Sequence, residues 1–298
     1  MPVNGRDLRD KSALCAALAS HLRSLVTYAD LYRPEELRAP GSRAHSELEL
    51  EATVSHLGWG DRPVAASQQD LMLRVAAHLD HLIAYAMRVE HDVVTPFALD
   101  SIARTAIECA ARAAWLLDAP DALSRVGRWA GDKVHSYEKE REAFGWLRPG
   151  EPTPKIDSLI AGYLAAAYAT GVTIMRPPPY WQQVRDLLVP GGLAPNPGAF
   201  YAMISAVAHG EEWGLRMFAS IAEGVDPEAD VGTVDITQTD RRVVMVAAYL
   251  LSAYAALITR VVDLMGCPPA HELWEKQLLD ARLAIRPGLP SVPPGGTL

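Results

Sequence analysis

The chain has 298 residues, 49% of them hydrophobic and 21% charged, which is enough apolar material for a sizeable core and excludes the low-hydropathy composition of disordered chains. Its 36 acidic against 28 basic residues leave a formal charge of -8, so nothing in the overall balance attracts it to nucleic-acid backbones or anionic membranes. Three cysteines, Cys15, Cys109 and Cys267, stand far apart without a CxxC pair, which excludes a disulfide framework and a structural zinc site.

Ala, Leu, Arg and Glu dominate, and no β-branched run alternates with period two, so helix is expected almost throughout. In chain order the breakers set off helices at about 6–32, 45–57, 64–91, 96–118, 120–144, 154–172, 178–189, 197–223, 238–265 and 268–285. Thr95-Pro96 and Asp240 have the chemistry of helix starts, Gly191-Gly192 and Gly266 that of stops. A longer connection at 223–237 has room for a short extended piece. The tail 286–298 carries four prolines and three glycines and cannot be helical. With no internal repeat and no linker between unlike halves, the expectation is an all-α fold, one bundle of roughly eight to ten helices over 1–285.

Two apolar runs, Ala161–Met175 and Val243–Ile258, fall short of the roughly 20 residues a bilayer requires and are expected to be central core helices. The polar start MPVNGRDLRDKS lacks the apolar stretch of a signal peptide, so a cytoplasmic protein without membrane association is expected.

The chain has no Walker phosphate loop, no GxGxxG after a strand, no GxSxG elbow, no HExxH, no DDxxD and no ExxH pair. The common nucleotide, hydrolase, zinc-protease and di-iron chemistries are thereby excluded. No cofactor and no metal is expected. His78 and His81, at i,i+3, could clip a metal from one helix face, but two ligands make a poor site, and they are read as solvated or core-edge histidines.

Three polar stripes remain. On an unbroken helix through 200–218, Tyr201, Ser205, His209, Glu212 and Arg216 share one face, opposite Phe200, Ile204, Val207 and Phe218. There a Ser205–His209 hydrogen bond at i,i+4 with Glu212 orienting the ring makes a base and a nucleophile, His209 being the natural general base because an imidazole titrates near neutrality. The same face is equally the wet side of an amphipathic helix. On helix 96–118, Arg104, Glu108 and Arg112 form an i,i+4 ladder shared with Trp115, an indole better suited to a covered position. Covered, Arg104 or Arg112 would bind an anion with Glu108 as partner; uncovered, the ladder is a set of surface ion pairs. Third, Arg128 and His135 project along one direction among Arg125, Asp132, Lys139 and Glu142, an arrangement otherwise read as a solvated charge ladder.

The Arg-x(4 to 6)-His spacing of Arg128 and His135 resembles the HEPN superfamily, helical bundles that include metal-independent ribonucleases. R-T-A-I-E at Arg104–Glu108 and Y-A-M-I-S-A-V-A-H-G at Tyr201–Gly210 are similar to poorly characterised bacterial helical proteins that carry an R-x3-E helix early and a Y-x3-S-x3-H helix late, themselves loosely HEPN-like. This resemblance implies a multi-helix bundle with a polar centre where the two helices face each other.

The leading expectation is therefore a central polar pocket that binds, and acts on, a small anionic ligand. His209, Ser205 and Glu108 would be catalytic there, and Arg104, Arg112, Tyr201, Glu212 and Arg216 would bind the ligand. The alternatives are a HEPN-like ribonuclease or toxin using Arg128 and His135, the only reading with a nucleic-acid partner, and a non-catalytic interaction protein. A homodimer through an apolar helix face accords with all three.

Overall fold

The computed structural model describes residues 38–90, 96–189, 196–214 and 240–266. The helices expected at 6–32 and 268–285, the extended piece at 223–237, the tail, Arg216, Cys15 and Cys267 lie outside the described residues. Within them the fold is all-α, with nine helices and no strand. They are α1 (Arg43–Glu47), α2 (Glu51–Val54), α3 (Pro63–Glu90), α4 (Pro96–Leu117), α5 (Ala122–Leu147), α6 (Pro154–Thr170), α7 (Tyr180–Leu188), α8 (Pro197–Ala208) and α9 (Asp240–Met265).

α4 is the hub, touching α3, α7, α8 and α9. Its sequence explains this: Ala103, Ala106, Ala110, Ala111, Ala113 and Ala114 are all buried, and side chains this small let neighbouring helices approach from several sides. α3 and α4 are further joined by His78, whose Nδ1 lies 2.8 Å from the Ala106 carbonyl oxygen. α9 supplies the longest apolar surface, including a Phe200–Tyr249 ring stack with centroids 3.6 Å apart. Its Met245–Met265 stretch, 21 residues at a mean hydropathy of 1.7, is long and apolar enough to cross a membrane, in contrast to the shorter run read from sequence. In this fold 72% of it is buried inside the bundle, the environment of a core helix.

Helix ends follow local chemistry. Asp121 caps α5 by accepting from the Ser124 amide at 2.7 Å, and Asn196 caps α8 by accepting from the Ala199 amide at 3.1 Å ahead of Pro197 at the first helical position. Gly127 and Gly131 of α5 lie directly under the carbonyls of Thr173 and Met175, so the extended segment after α6 crosses α5 where neither position has room for a Cβ. The Met175 amide donates to the Gly127 carbonyl at 3.1 Å across that crossing.

Five sequence expectations are corrected. The helix expected over 45–57 is split by a 3-10 turn at Leu48–Leu50. α8 stops at Ala208, because Gly210 takes a left-handed φ of 67° and the Glu211 and Gly210 amides close onto the Ala206 and Val207 carbonyls, the Schellman pattern of a helix end. α6, expected as a central core helix, lies at the edge of the bundle against α5, with Leu164 and Tyr168 exposed. Arg125 and Asp132, expected on a solvated ladder, are buried. Arg125 pairs with Glu47 and donates to the Leu116 carbonyl at 3.3 Å, which ties α1 to α5, and Arg43 adds a 2.6 Å bond to the Ala119 carbonyl. Finally, His78 is wholly inside the core rather than solvated or at its edge.

Candidate functional site

The polar stripe of α4 faces three helices in succession. At its first turn Asp100, fully buried, pairs with Arg242 of α9, whose Nη1 also contacts the Met203 sulfur at 3.5 Å. Burial raises the Asp100 carboxyl above its ordinary range, and the Arg242 guanidinium opposes that shift. One turn on, Arg104 Nε donates to Glu108 Oε1 at 2.7 Å, and the Tyr201 hydroxyl of α8 donates to the same oxygen at 2.7 Å. The Arg104 Nη1 lies 2.7 Å from His209 Nε2. A guanidinium only donates, so Nε2 is the accepting nitrogen and a neutral His209 carries its proton on Nδ1.

Four side chains from two helices about a hundred positions apart thus form one chain: Tyr201 to Glu108 to Arg104 to His209. Tyr201 is buried, the Arg104 and Glu108 side chains are 19% and 17% exposed, and His209 is exposed, so the chain runs from the core to the surface. Burial first, and then the hydrogen bond to the Glu108 carboxylate, hold the Tyr201 hydroxyl well above the usual phenol range, which keeps it a donor. Arg104 and Glu108 neutralise each other, and the guanidinium spans from Glu108 at Nε to the exposed His209 at Nη1.

The structure brings Arg104, Glu108, Tyr201 and His209 together as the two stripes predicted, and separates the others. Ser205 is half-buried and makes no hydroxyl–imidazole bond, because the ring has turned to Arg104; only the Ser205 carbonyl meets the His209 amide, at 3.0 Å. Ser205 is therefore no activated nucleophile. Glu212 is exposed beyond the Gly210 turn, so the helical spacing that aligned it with His209 does not exist. Gly214 returns against the backbone of Ala206 and Val207, closer than a Cβ would permit. Arg112 turns away to α5, 3.3 Å from Asp132, with its guanidinium 4.8 Å from the centroid of Tyr180 and 5.8 Å from that of Trp115.

Arg128 and His135 engage different surroundings. The Arg128 guanidinium donates to the Trp115 carbonyl and lies 5.6 Å from that indole's centroid, and burial lowers its pKa. His135, one further pair of turns along α5, lines an open depression with Glu138, Lys139, Arg141, Glu142 and Arg176. Among the described residues no group of three His, Cys, Asp or Glu side chains could hold a metal ion. The sequence reading missed the Asp100–Arg242 pair and the charges that Asp132 gathers; Asp100, one helical turn before Arg104 on the same stripe, was the available signal.

No family model matches the chain, and the comparisons with curated proteins and solved structures found no match.

Proposed function

We propose that the protein binds a small anionic ligand, carrying a carboxylate or phosphate group, at the angle between α4 and α8. The observation that supports this is the Arg104 guanidinium, fixed by Glu108 on its inner edge while its outer edge ends on an exposed imidazole. An incoming oxyanion takes the place of His209 on Arg104 Nη1, an ion-paired contact stronger than the bond to a neutral imidazole that it replaces. His209 Nε2 is then left with a free lone pair beside the ligand and is the atom placed to accept a proton from it. In this reading Glu108 positions Arg104, Tyr201 holds Glu108 from the core side, and no nucleophile takes part.

The test is a calorimetric titration with small mono- and dicarboxylates and inorganic phosphate at fixed ionic strength. Saturable binding that falls at least about tenfold in Arg104→Gln, a change of ~1.4 kcal/mol, is the expected outcome. His209→Ala should bind within a factor of about three of the unaltered protein while losing any turnover of the bound ligand. Absence of saturable binding, or binding indifferent to Arg104→Gln, rejects the proposal.

The ribonuclease alternative has less support. His135 lies beside basic side chains in an open depression, but Arg128 is already held by the Trp115 carbonyl. It would require RNA cleavage in excess EDTA that disappears in His135→Ala. A purely interacting protein would leave ligand binding absent in every variant.

A further inference from the structure

Where α3, α4 and α5 meet, three cations face two carboxylates. Asp132 of α5 pairs with Arg74 of α3 through Oδ2, and its Oδ1 lies 3.3 Å from Arg112 Nη1 of α4, out of line for a hydrogen bond. Asp70 of α3 accepts from Lys133 at 2.5 Å and from the Trp129 indole at 2.9 Å. One positive charge is left over, inside a protein that is acidic overall.

Arg112 is the unusual member. Its side chain is only 6% exposed, Tyr180 and Trp115 lie close to its guanidinium, and Nε and Nη1 have no hydrogen-bond partner among the described residues. Arg74 Nε is a further buried N–H in the same condition. A guanidinium cannot shed its charge, and each buried donor left unpaired costs on the order of 1–3 kcal/mol, so an arrangement with three of them at one junction is incomplete as it stands. Asp132 does not complete it, because its Oδ1 lies out of line with the Arg112 N–H groups and its Oδ2 is turned to Arg74. The Arg74 and Lys133 side chains, 32% and 31% exposed, connect the junction to solvent.

We infer that this junction is a second binding site, for a small oxyanion of the phosphate type, with Arg112 at its floor and Arg74 and Lys133 at its mouth. Each guanidinium edge, Nη2 with Nε or Nη2 with Nη1, takes two oxygens of one oxyanion, and a tetrahedral anion has oxygens left for a second guanidinium and an ammonium. The inference goes beyond the α4–α8 reading and does not depend on it, because the two sites share no residue.

The experiment titrates inorganic phosphate into the full chain carrying Arg104→Gln, so that any anion held between α4 and α8 is removed beforehand. Binding is followed by tryptophan fluorescence, which Trp115 and Trp129 report from the junction, with sodium chloride keeping ionic strength constant. A saturable change is expected, displaced by sulfate, weakened at least about tenfold when Arg74→Gln is added and severalfold with Lys133→Gln. These two partly exposed residues are chosen because Arg112 is itself buried structure; unchanged circular dichroism and melting temperature show that each variant folds. Glycerol phosphate binding tighter than inorganic phosphate assigns the site to phosphomonoesters, and the reverse order to the free ion. No saturable change up to about 10 mM phosphate, or full binding in folded Arg74→Gln, overturns the inference.

Discussion

His78 makes the protein acid-sensitive in a calculable way. The ring is fully buried, and its Nδ1–H donates to the Ala106 carbonyl, an oxygen that can only accept. Nε2 is therefore the bare nitrogen, and it has no partner among the described residues. Burial, opposed in part by the Ala106 bond, lowers the pKa from 6.5 to about 4. Because the folded value lies below the unfolded one, the unfolded chain binds a proton first as pH falls. Stability is complete above pH 6.5, declines between 6.5 and 4, and is lower by a constant amount below 4. The shift corresponds to ~3 kcal/mol at most, of which roughly 2.5 kcal/mol is lost by pH 4.5. The assay is urea unfolding followed by circular dichroism at pH 7.5 and 4.5, with His78→Gln as the comparison. The variant loses packing against Tyr254 and is less stable at pH 7.5, but its deficit shrinks by about 2.5 kcal/mol at pH 4.5, because it carries no imidazole to protonate. A deficit that stays constant within about 0.5 kcal/mol across that range would refute the reasoning, whatever its size at neutral pH.

Other consequences concern packing and buried charge. Asp100→Asn removes a buried carboxylate from Arg242 and should destabilise by ~3 kcal/mol in urea unfolding, well beyond a surface pair such as Lys139–Glu142. Gly131→Ala drives a Cβ into the Met175 carbonyl oxygen and should destabilise by ~1–3 kcal/mol. In the same helix Gly145→Ala meets open space and should stabilise by ~0.5–1 kcal/mol, so the two melting temperatures are expected to move in opposite directions.

Much of this fold was legible from punctuation and period. The boundaries at Pro63–Glu90, Pro96–Leu117 and Pro154–Thr170 agree with the sequence to within two residues, because a proline opens each helix and, for Thr170, a left-handed glycine follows. α8 is shorter than the unbroken helix expected through 200–218, because Gly210 takes the left-handed φ that ends it. That turn takes Glu212 out of helical register with His209, whose ring meets Arg104 in place of Ser205. Periodicity also identifies a charged stripe without telling what covers it. Arg125 and Asp132 sit on the same helical face as exposed Lys139 and Glu142, and only the path of α1 and α3 over the first half of α5 separates buried charge from solvated. The Asp100–Arg242 pair spans 142 positions, a distance over which no spacing rule operates.

The central claim is that the Arg104–His209 contact is where a small anion enters. Side-chain 1H–15N NMR of the histidines, assigned through His209→Gln, reads that contact directly. Without ligand, the His209 Nε2 resonance should be that of an accepting nitrogen, and it should move saturably as carboxylates or phosphate are added, with Arg104→Gln abolishing the response. A His209 signal that stays fixed in the presence of every anion up to about 10 mM, or that moves equally in Arg104→Gln, would contradict the account.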